Sequence, residues 1–544
     1  GLLPNRPSIE DAAARLPRLR QALRDATASD DEDLGPRLDR EITRIETMVQ
    51  DGPFELGGRG AIDLRIHRPR VKGYPVAVEG PIRLRNVGGV FSQFPYPMMV
   101  RQGGILLEDL AVVIEEPGLE VNTIFGGQGR ISGRVDLPRD GKGGRDVHPT
   151  LELRFKNDLL SPCLLAAVPP ALEGRPSAAA IPGWPGTVRS KAVEPVISMG
   201  LEGTLDYVVL VSTDADGDAG FAVTGNLFDG SATPVDQPAD DRDDDEPTWP
   251  LGFDLEDVRA TLEVDDDGLE LIGFTGRRGD GDVRARGLYD FRTEIGRGIA
   301  RLRGLDLEPL YLELLPDASI EEGLRLWDRW EPSGRFNADL HWSRRDSETE
   351  MELDAEPLWA EFNTTTGRTR LDRERGQLRF RDGWIEVHDL ALRLSTDGRI
   401  DGGLRLDGDY GYRELPTPRR LQGVLDNARF ESPALEEVLR LATGEVLADW
   451  WTARSPAGRF KGSFGLTSGR GQESDFDLDL QPSTFTLLAV EGDPASRGGG
   501  RIEENGSIRI RDRQFSLGPL ELLADNGSRL WFDVVVPNLL RPEI

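Results

Sequence analysis

The 544-residue chain carries 66 Lys and Arg against 96 Asp and Glu. Its net charge of -30 argues against a nucleic-acid backbone as partner, because phosphate neutralisation needs a basic face. A single Cys (Cys163) excludes an internal disulfide framework, and four scattered His (His67, His148, His341, His388) exclude a zinc site built mainly from His and Cys.

The length allows three or four domains of roughly 150 residues, or a repeat array. No stretch approaches about 18 uninterrupted apolar residues, and the first residues lack the basic-then-apolar pattern of an export signal. The chain starts with Gly, which predicts a piece of a longer protein whose signal or anchor lies outside this sequence.

In chain order, apolar spacings of three and four predict helices over Pro17 to Ala26 and Leu38 to Val49, separated by the acidic linker Ser29 to Asp33. After Phe54 the period becomes two, and Ile62, Leu64 and Ile66 alternate with Asp63 and Arg65. From there to the end most of the chain reads as strands.

Those strands repeat. Gly376-Gln-Leu-Arg-Phe-Arg-Asp382-Gly-Trp-Ile-Glu-Val387 aligns without a gap on Gly506-Ser-Ile-Arg-Ile-Arg-Asp512-Arg-Gln-Phe-Ser-Leu517, and Leu390 and Leu392 continue the match against Leu520 and Leu522. Two weaker copies share the skeleton: Ile105, Leu107, Asp109, Val112, Ile114, and Leu262, Val264, Asp266, Leu269, Leu271. Period-2 apolar pairs around an Asp predict four tight antiparallel hairpins, with the Asp capping each turn rather than serving catalysis.

A second feature keeps phase with the first. Trp330-Glu-Pro-Ser-Gly334-Arg-Phe336 and Trp451-Thr-Ala-Arg-Ser-Pro-Ala-Gly458-Arg-Phe460 each follow a helical stretch, Glu321 to Trp330 and Ala434 to Trp450, and Trp184-Pro-Gly186 is a fainter version. Pro and Gly stop the helix, Arg-Phe opens the next strand, and the Trp packs helix on sheet. The predicted organisation is a helical segment over 1–53, β-repeat units over 54–200, 201–335 and 336–460, and an incomplete unit over 461–544.

In the third unit Leu378, Phe380, Ile385, Val387, Leu390, Leu392 and Leu394 alternate with Arg379, Glu386 and Arg393. One face of the sheet is therefore apolar and the other charged. Helices are too few to roof it, so the sheet curls into a closed sandwich or an open trough. A trough would be a binding surface, because large apolar patches are rare unless occupied. Acyl chains suit it: about sixteen methylenes at roughly 0.8 kcal/mol each give on the order of 13 kcal/mol before ordering costs. The candidate lining is Ile105, Leu107, Val112, Ile114, Leu262, Val264, Leu378, Phe380, Leu390, Leu392, Leu394, Ile508, Ile510, Leu520 and Leu522.

Phe94-Pro-Tyr-Pro97 with the Gly-rich meander at Gly126, Gly127 and Gly133, the helix ending in Trp-x-Pro-Ser-Gly-Arg-Phe, and the Gly-x-Leu-x-Phe hairpins resemble AsmA-like, TamB-related proteins of bacterial envelopes. Those proteins are related to the bridge-like lipid-transfer proteins built of repeating β-grooves. The resemblance spans roughly residues 54 to 544. It implies a long curved antiparallel sheet with a hydrophobic interior, anchored to the inner membrane, crossing the periplasm and carrying phospholipid for intermembrane transport or outer-membrane biogenesis. An outer-membrane protein is a further implied partner. The chain departs from the pattern in lacking the anchor and in carrying the acidic insert Asp240 to Glu246, expected as a solvated loop.

Other chemistry finds little footing. Asp214-Ala-Asp216-Gly-Asp218 resembles the start of a calcium loop, but Ala219 and Gly225 occupy the required Gly and Glu positions, so a hairpin tip is expected. No Gly-x-Ser-x-Gly elbow or Gly-Lys-Ser/Thr loop occurs. Cys163, in Ser-Pro-Cys-Leu-Leu, has the apolar context of a packed thiol. The expectation is a mainly β, cofactor-free, non-enzymatic lipid-handling protein. Its rivals are a closed β-repeat scaffold or adhesin-like protein, and a carbohydrate-active β-repeat enzyme.

Overall fold

The computed structural model describes residues 59–536 except 69–76, 92–93, 109, 124, 137–147, 166–198, 214–218, 234–252, 266, 310–326, 346–347, 365–366, 382–383, 412–418, 444, 470–471, 489–496, 501–505, 512–513 and 524–528. The expected N-terminal helices, the Trp184 segment, the acidic insert and the four hairpin Asp (109, 266, 382, 512) lie outside the described residues. Among the described residues the fold is mainly β, 82% strand and 7% helix, a long curved antiparallel sheet that does not close.

The chain divides into two compact units: 1–277 with 284–298 and 344–348, and 278–283 with 299–343 and 349–544. In the first, β1 (Arg59–Ile62) and β2 (Arg65–His67) both pair with β3 (Ala77–Phe91). Each later strand pairs antiparallel with the one before it: β4 (Phe94–Glu108), β5 (Ala111–Thr123), β6 (Gln128–Asp136), β7 (His148–Leu159), β8 (Leu201–Thr213), β9 (Ala219–Ala232), β10 (Leu255–Asp265) and β11 (Gly268–Arg278). β12 (Gly281–Asp290) lies mostly in this unit, whereas most of β13 (Ile295–Asp306) and of β14 (Ser333–Arg345) belongs to the second.

In the second unit β15 (Glu348–Thr364), β16 (Gly367–Arg381), β17 (Trp384–Thr396), β18 (Arg399–Gly411), β19 (Arg419–Arg429), β20 (Ala457–Gly469) and β21 (Gln472–Leu488) continue the meander. Beyond β21 lie β22 (Arg497–Gly500) and β23 (Ser507–Arg511), which pair with different halves of it, then β24 (Gln514–Leu523) and β25 (Arg529–Val536).

Helices are few. Helix α1 (Pro162–Leu165) follows β7, a helical turn at 327–330 precedes β14, and α2 (Pro433–Thr443) and α3 (Glu445–Arg454) stand between β19 and β20. Helical segments thus recur six strands apart. The stretch expected as helical from Ala434 to Trp450 is occupied by α2 and α3, and residue 444 between them lies outside the described residues. Gly334 and Gly458 each stand at the second position of the following strand, as the stop signal requires.

All four expected hairpins form. They close at Glu108↔Ala111, Val264↔Leu269, Arg381↔Trp384 and Arg511↔Gln514. At the second turn Asp265 Oδ1 accepts the backbone N–H of Asp267 and Gly268, both at 2.9 Å. This is an Asx turn, formed by a side chain at the start of the loop. β8 and β9 pair through Thr213↔Ala219, and the calcium-like segment between them lies outside the described residues.

Curvature has a local cause. Asn157, Asp389 and Asn427 have positive φ of 54°, 41° and 50°, and each stands where its ladder slips register, at Phe155/Asp158, Val387/Leu390 and Leu425/Ala428. Asn and Asp tolerate the left-handed region better than other non-Gly residues. The resulting β-bulges bend the strand and increase its twist.

Candidate apolar face

Register turns the alternation within strands into rows across them. In the first unit Val87, Val100, Val121, Gly129, Phe155, Tyr207, Gly225, Leu262 and Leu271 are successive partners across nine strands. A parallel row joins Leu119, Ile131, Leu153, Val209, Val223, Val264 and Leu269. In the second unit Leu390, Leu406, Gly423, Phe464, Leu478, Ile510, Phe515 and Val536 form one row, and Leu392, Leu404, Leu425, Gly462, Leu480, Ile508, Leu517 and Val534 the next. No charged residue interrupts any of the four. Period-2 geometry keeps each row on one face.

Glycine in a row makes room for an aromatic neighbour. A Cβ on Gly423 would lie 2.2 Å from the Phe464 ring. Gly423→Ala is therefore expected to destabilise the second unit by about 1–3 kcal/mol, the cost of overpacking. Denaturant unfolding measures this, and an unchanged midpoint would show that the ring moves aside freely.

The expected lining falls into three groups. Val264, Leu390, Leu392, Leu394, Ile508 and Ile510 are buried. Ile105, Leu107, Val112, Ile114, Leu262, Leu378 and Phe380 are half-buried. Leu520 and Leu522 pair with Phe532 and Leu530, and their side chains lie outside the described residues.

Part of the second unit's face is roofed by helices that the lining argument did not place. Leu435, Leu439 and Trp451 of α2 and α3 share one core with Phe460, Leu480, Phe485, Ile508 and Phe515. Phe430 is its centre, with ring centroids 4.6 Å from Phe460, 5.1 Å from Phe485 and 5.8 Å from Trp451. Trp330 packs against Phe362 at 6.1 Å and donates Nε1–H to Glu437 at 3.0 Å. Both Trp residues therefore pack, as the sequence predicted. Away from the helices the row Leu378, Val387, Gly408, Leu421, Leu466 and Phe476 is half-buried except at Val387.

The opposite face is charged and internally paired. Arg379 meets Asp354 at 2.5 Å and Glu352 at 3.0 Å, Arg419 meets Asp409 at 3.0 Å, and Arg509 meets Asp479 at 3.0 Å. Such partly exposed pairs contribute under about 1 kcal/mol each and mark the solvent side.

One polar cluster stands on the apolar face, unforeseen from sequence. Asp158, on the apolar face of β7 after the Asn157 bulge, is fully buried. Thr123 Oγ1 donates to its Oδ1 at 2.7 Å, Tyr96 OH to Oδ1 at 3.3 Å and Tyr207 OH to Oδ2 at 2.9 Å. Burial pushes the Asp158 carboxyl up, against the hydroxyl hydrogen bonds that favour its charged form. The Tyr207 phenol is also raised, by burial first and by the adjacent carboxylate second. The only sequence signal was an Asp where a strand alternates apolar.

Among the described residues the other buried carboxylates also have partners: Asp401 with Thr396, Glu436 with Arg440, and Glu437 with Arg329 and Trp330. Among the described residues no group of three or more His, Cys, Asp or Glu is placed to hold a metal ion, and no helix is long and apolar enough to cross a membrane. The side chain of Cys163 lies outside the described residues. No family model matches the chain, and no curated protein or solved structure matches it.

Proposed function

We propose that the chain is a non-enzymatic lipid-handling protein of the bacterial cell envelope, whose apolar β-face holds phospholipid acyl chains for transport between membranes or for outer-membrane biogenesis. The observation that carries this reading is the uninterrupted apolar rows that cross strand after strand in each unit. A hydrocarbon tail needs a continuous apolar track and no fixed polar contact, and a row supplies one. Half-buried Leu378, Phe380, Leu404, Leu406 and Leu421 offer contact area that the roofed core around Phe430 does not. In this reading the protein acts in the periplasm, held to the inner membrane through a segment beyond this sequence.

Solvent extraction of the purified protein, followed by mass spectrometry, tests the proposal. Phospholipid is expected in the extract, and Phe380→Asp is expected to lower its amount at least threefold with β content unchanged, because a charge on the track is costly. An extract without phospholipid would favour the closed-scaffold reading.

A further inference from the structure

Where the row of Leu392 and Leu404 reaches β16, the strand partner of Leu392 is Arg373. Alternation puts Arg373 on the apolar face, since Leu371 pairs with Leu394 on that face and the intervening Asp372 pairs with Arg393 on the other. Two bulges isolate it, because the register of β16 slips at Arg373/Arg375 and again at Arg375/Gln377. On either side of them Leu371 and Leu378 pack against Val387, Leu390 and Leu392. Gly376, skipped at the second slip, has a φ of 90°, and a Cβ on it would run into the Asp389 carbonyl. The Gly376 carbonyl accepts Arg373 Nε–H at 2.7 Å, which fixes the guanidinium. Nη2 lies 3.4 Å from Glu356 Oε1, and Nη1 has no hydrogen-bond partner among the described residues.

A positive and a negative group thus stand together next to half-buried Leu371, Leu378 and Leu404. The Arg373 side chain is 23% exposed and that of Glu356 41%, so a ligand on the apolar face can reach both. A partly exposed pair at this separation adds little to stability. Nor does this place in the hairpin demand a charge: in the first hairpin Gly103 also has a positive φ, and the residue three before it is Val100. We propose that Arg373 and Glu356 form a headgroup site for a zwitterionic phospholipid, with the phosphate on the Arg373 guanidinium and the ammonium on the Glu356 carboxylate. Guanidinium N–H groups match phosphate oxygens in geometry and charge. A headgroup with a phosphate but no ammonium meets the carboxylate as a like charge, which supplies selectivity by repulsion. The inference rests on the lipid reading and adds to it the class of lipid.

The test incubates the whole protein with vesicles of equimolar phosphatidylethanolamine and phosphatidylglycerol that carry the same deuterated acyl chains. Mass spectrometry then counts the deuterated lipids retained by the re-isolated protein. Phosphatidylethanolamine is expected in roughly threefold excess or more, a selectivity within reach of one charge-assisted contact. Arg373→Leu with Glu356→Leu is expected to bring the two lipids to parity while total lipid, β content and melting temperature hold. Glu356→Gln alone keeps the guanidinium and removes the repelling charge, so phosphatidylglycerol should gain. Equal retention of the two lipids by the wild type, or an excess that survives in the double variant, would overturn the headgroup site and leave the acyl track standing. Retention of neither lipid would overturn both.

Discussion

Phe430→Ala is expected to lower the stability of the second unit by about 3–5 kcal/mol, the range for removing a large buried aromatic side chain. Phe430 is 1% exposed and packs against rings from α3, β20 and β21. Truncation opens a cavity among residues from several elements, and none of the strands can close it without leaving its register. The ring contacts add a smaller amount beyond area burial. Urea unfolding followed by tryptophan fluorescence reads the change, since Trp450 and Trp451 lie on α3. A loss under 1 kcal/mol would mean that α2 and α3 do not fasten this part of the sheet.

The second large effect concerns the buried carboxyl of the first unit. Asp158→Leu removes the acceptor shared by Tyr96, Thr123 and Tyr207 and leaves three buried hydroxyls to find partners. At about 1–3 kcal/mol for each unsatisfied donor, a loss of at least about 3 kcal/mol is expected. Asp158→Asn should be far milder, because an amide oxygen still accepts from Thr123 while Tyr207 can turn to accept from the new amide N–H.

The two variants also separate charge from hydrogen bonding. The folded-state pKa of Asp158 is raised, so neutral Asp158 favours folding. That stabilisation is fully present below the ordinary carboxylate value of 3.8 and is lost as pH rises through the raised value. The wild type should therefore lose stability relative to Asp158→Asn across that window. Parallel pH profiles would show that Asp158 does not titrate there.

Much of the architecture was legible in the sequence because period-2 alternation and turn residues act locally. The hairpins at Arg381↔Trp384 and Arg511↔Gln514 follow from the alignment of their flanks, and the helix ends before Gly334 and Gly458 follow from their stop signals. What the sequence hid depends on register. Leu392 and Leu480 belong to one row only because four intervening pairings align them, and one slipped bulge would send them to opposite faces. The roof formed by Leu435, Leu439 and Trp451 was hidden for a related reason: short helices show their own apolar positions but not which strands they cover. Asp158 was invisible because one Asp among 96 acidic residues carries no mark of burial until Tyr96, Thr123 and Tyr207 converge on it from three other strands.

Site-specific photocrosslinking in cells tests the lipid track most directly. A photoreactive side chain at Phe380, on the apolar face, is compared with one at its neighbour Arg379, which points to the charged face and pairs with Asp354. Phospholipid adducts at 380 and none at 379 are the predicted result, since adjacent strand residues face opposite sides. Equal adducts at both positions, or none at either, would contradict an acyl-binding β-face.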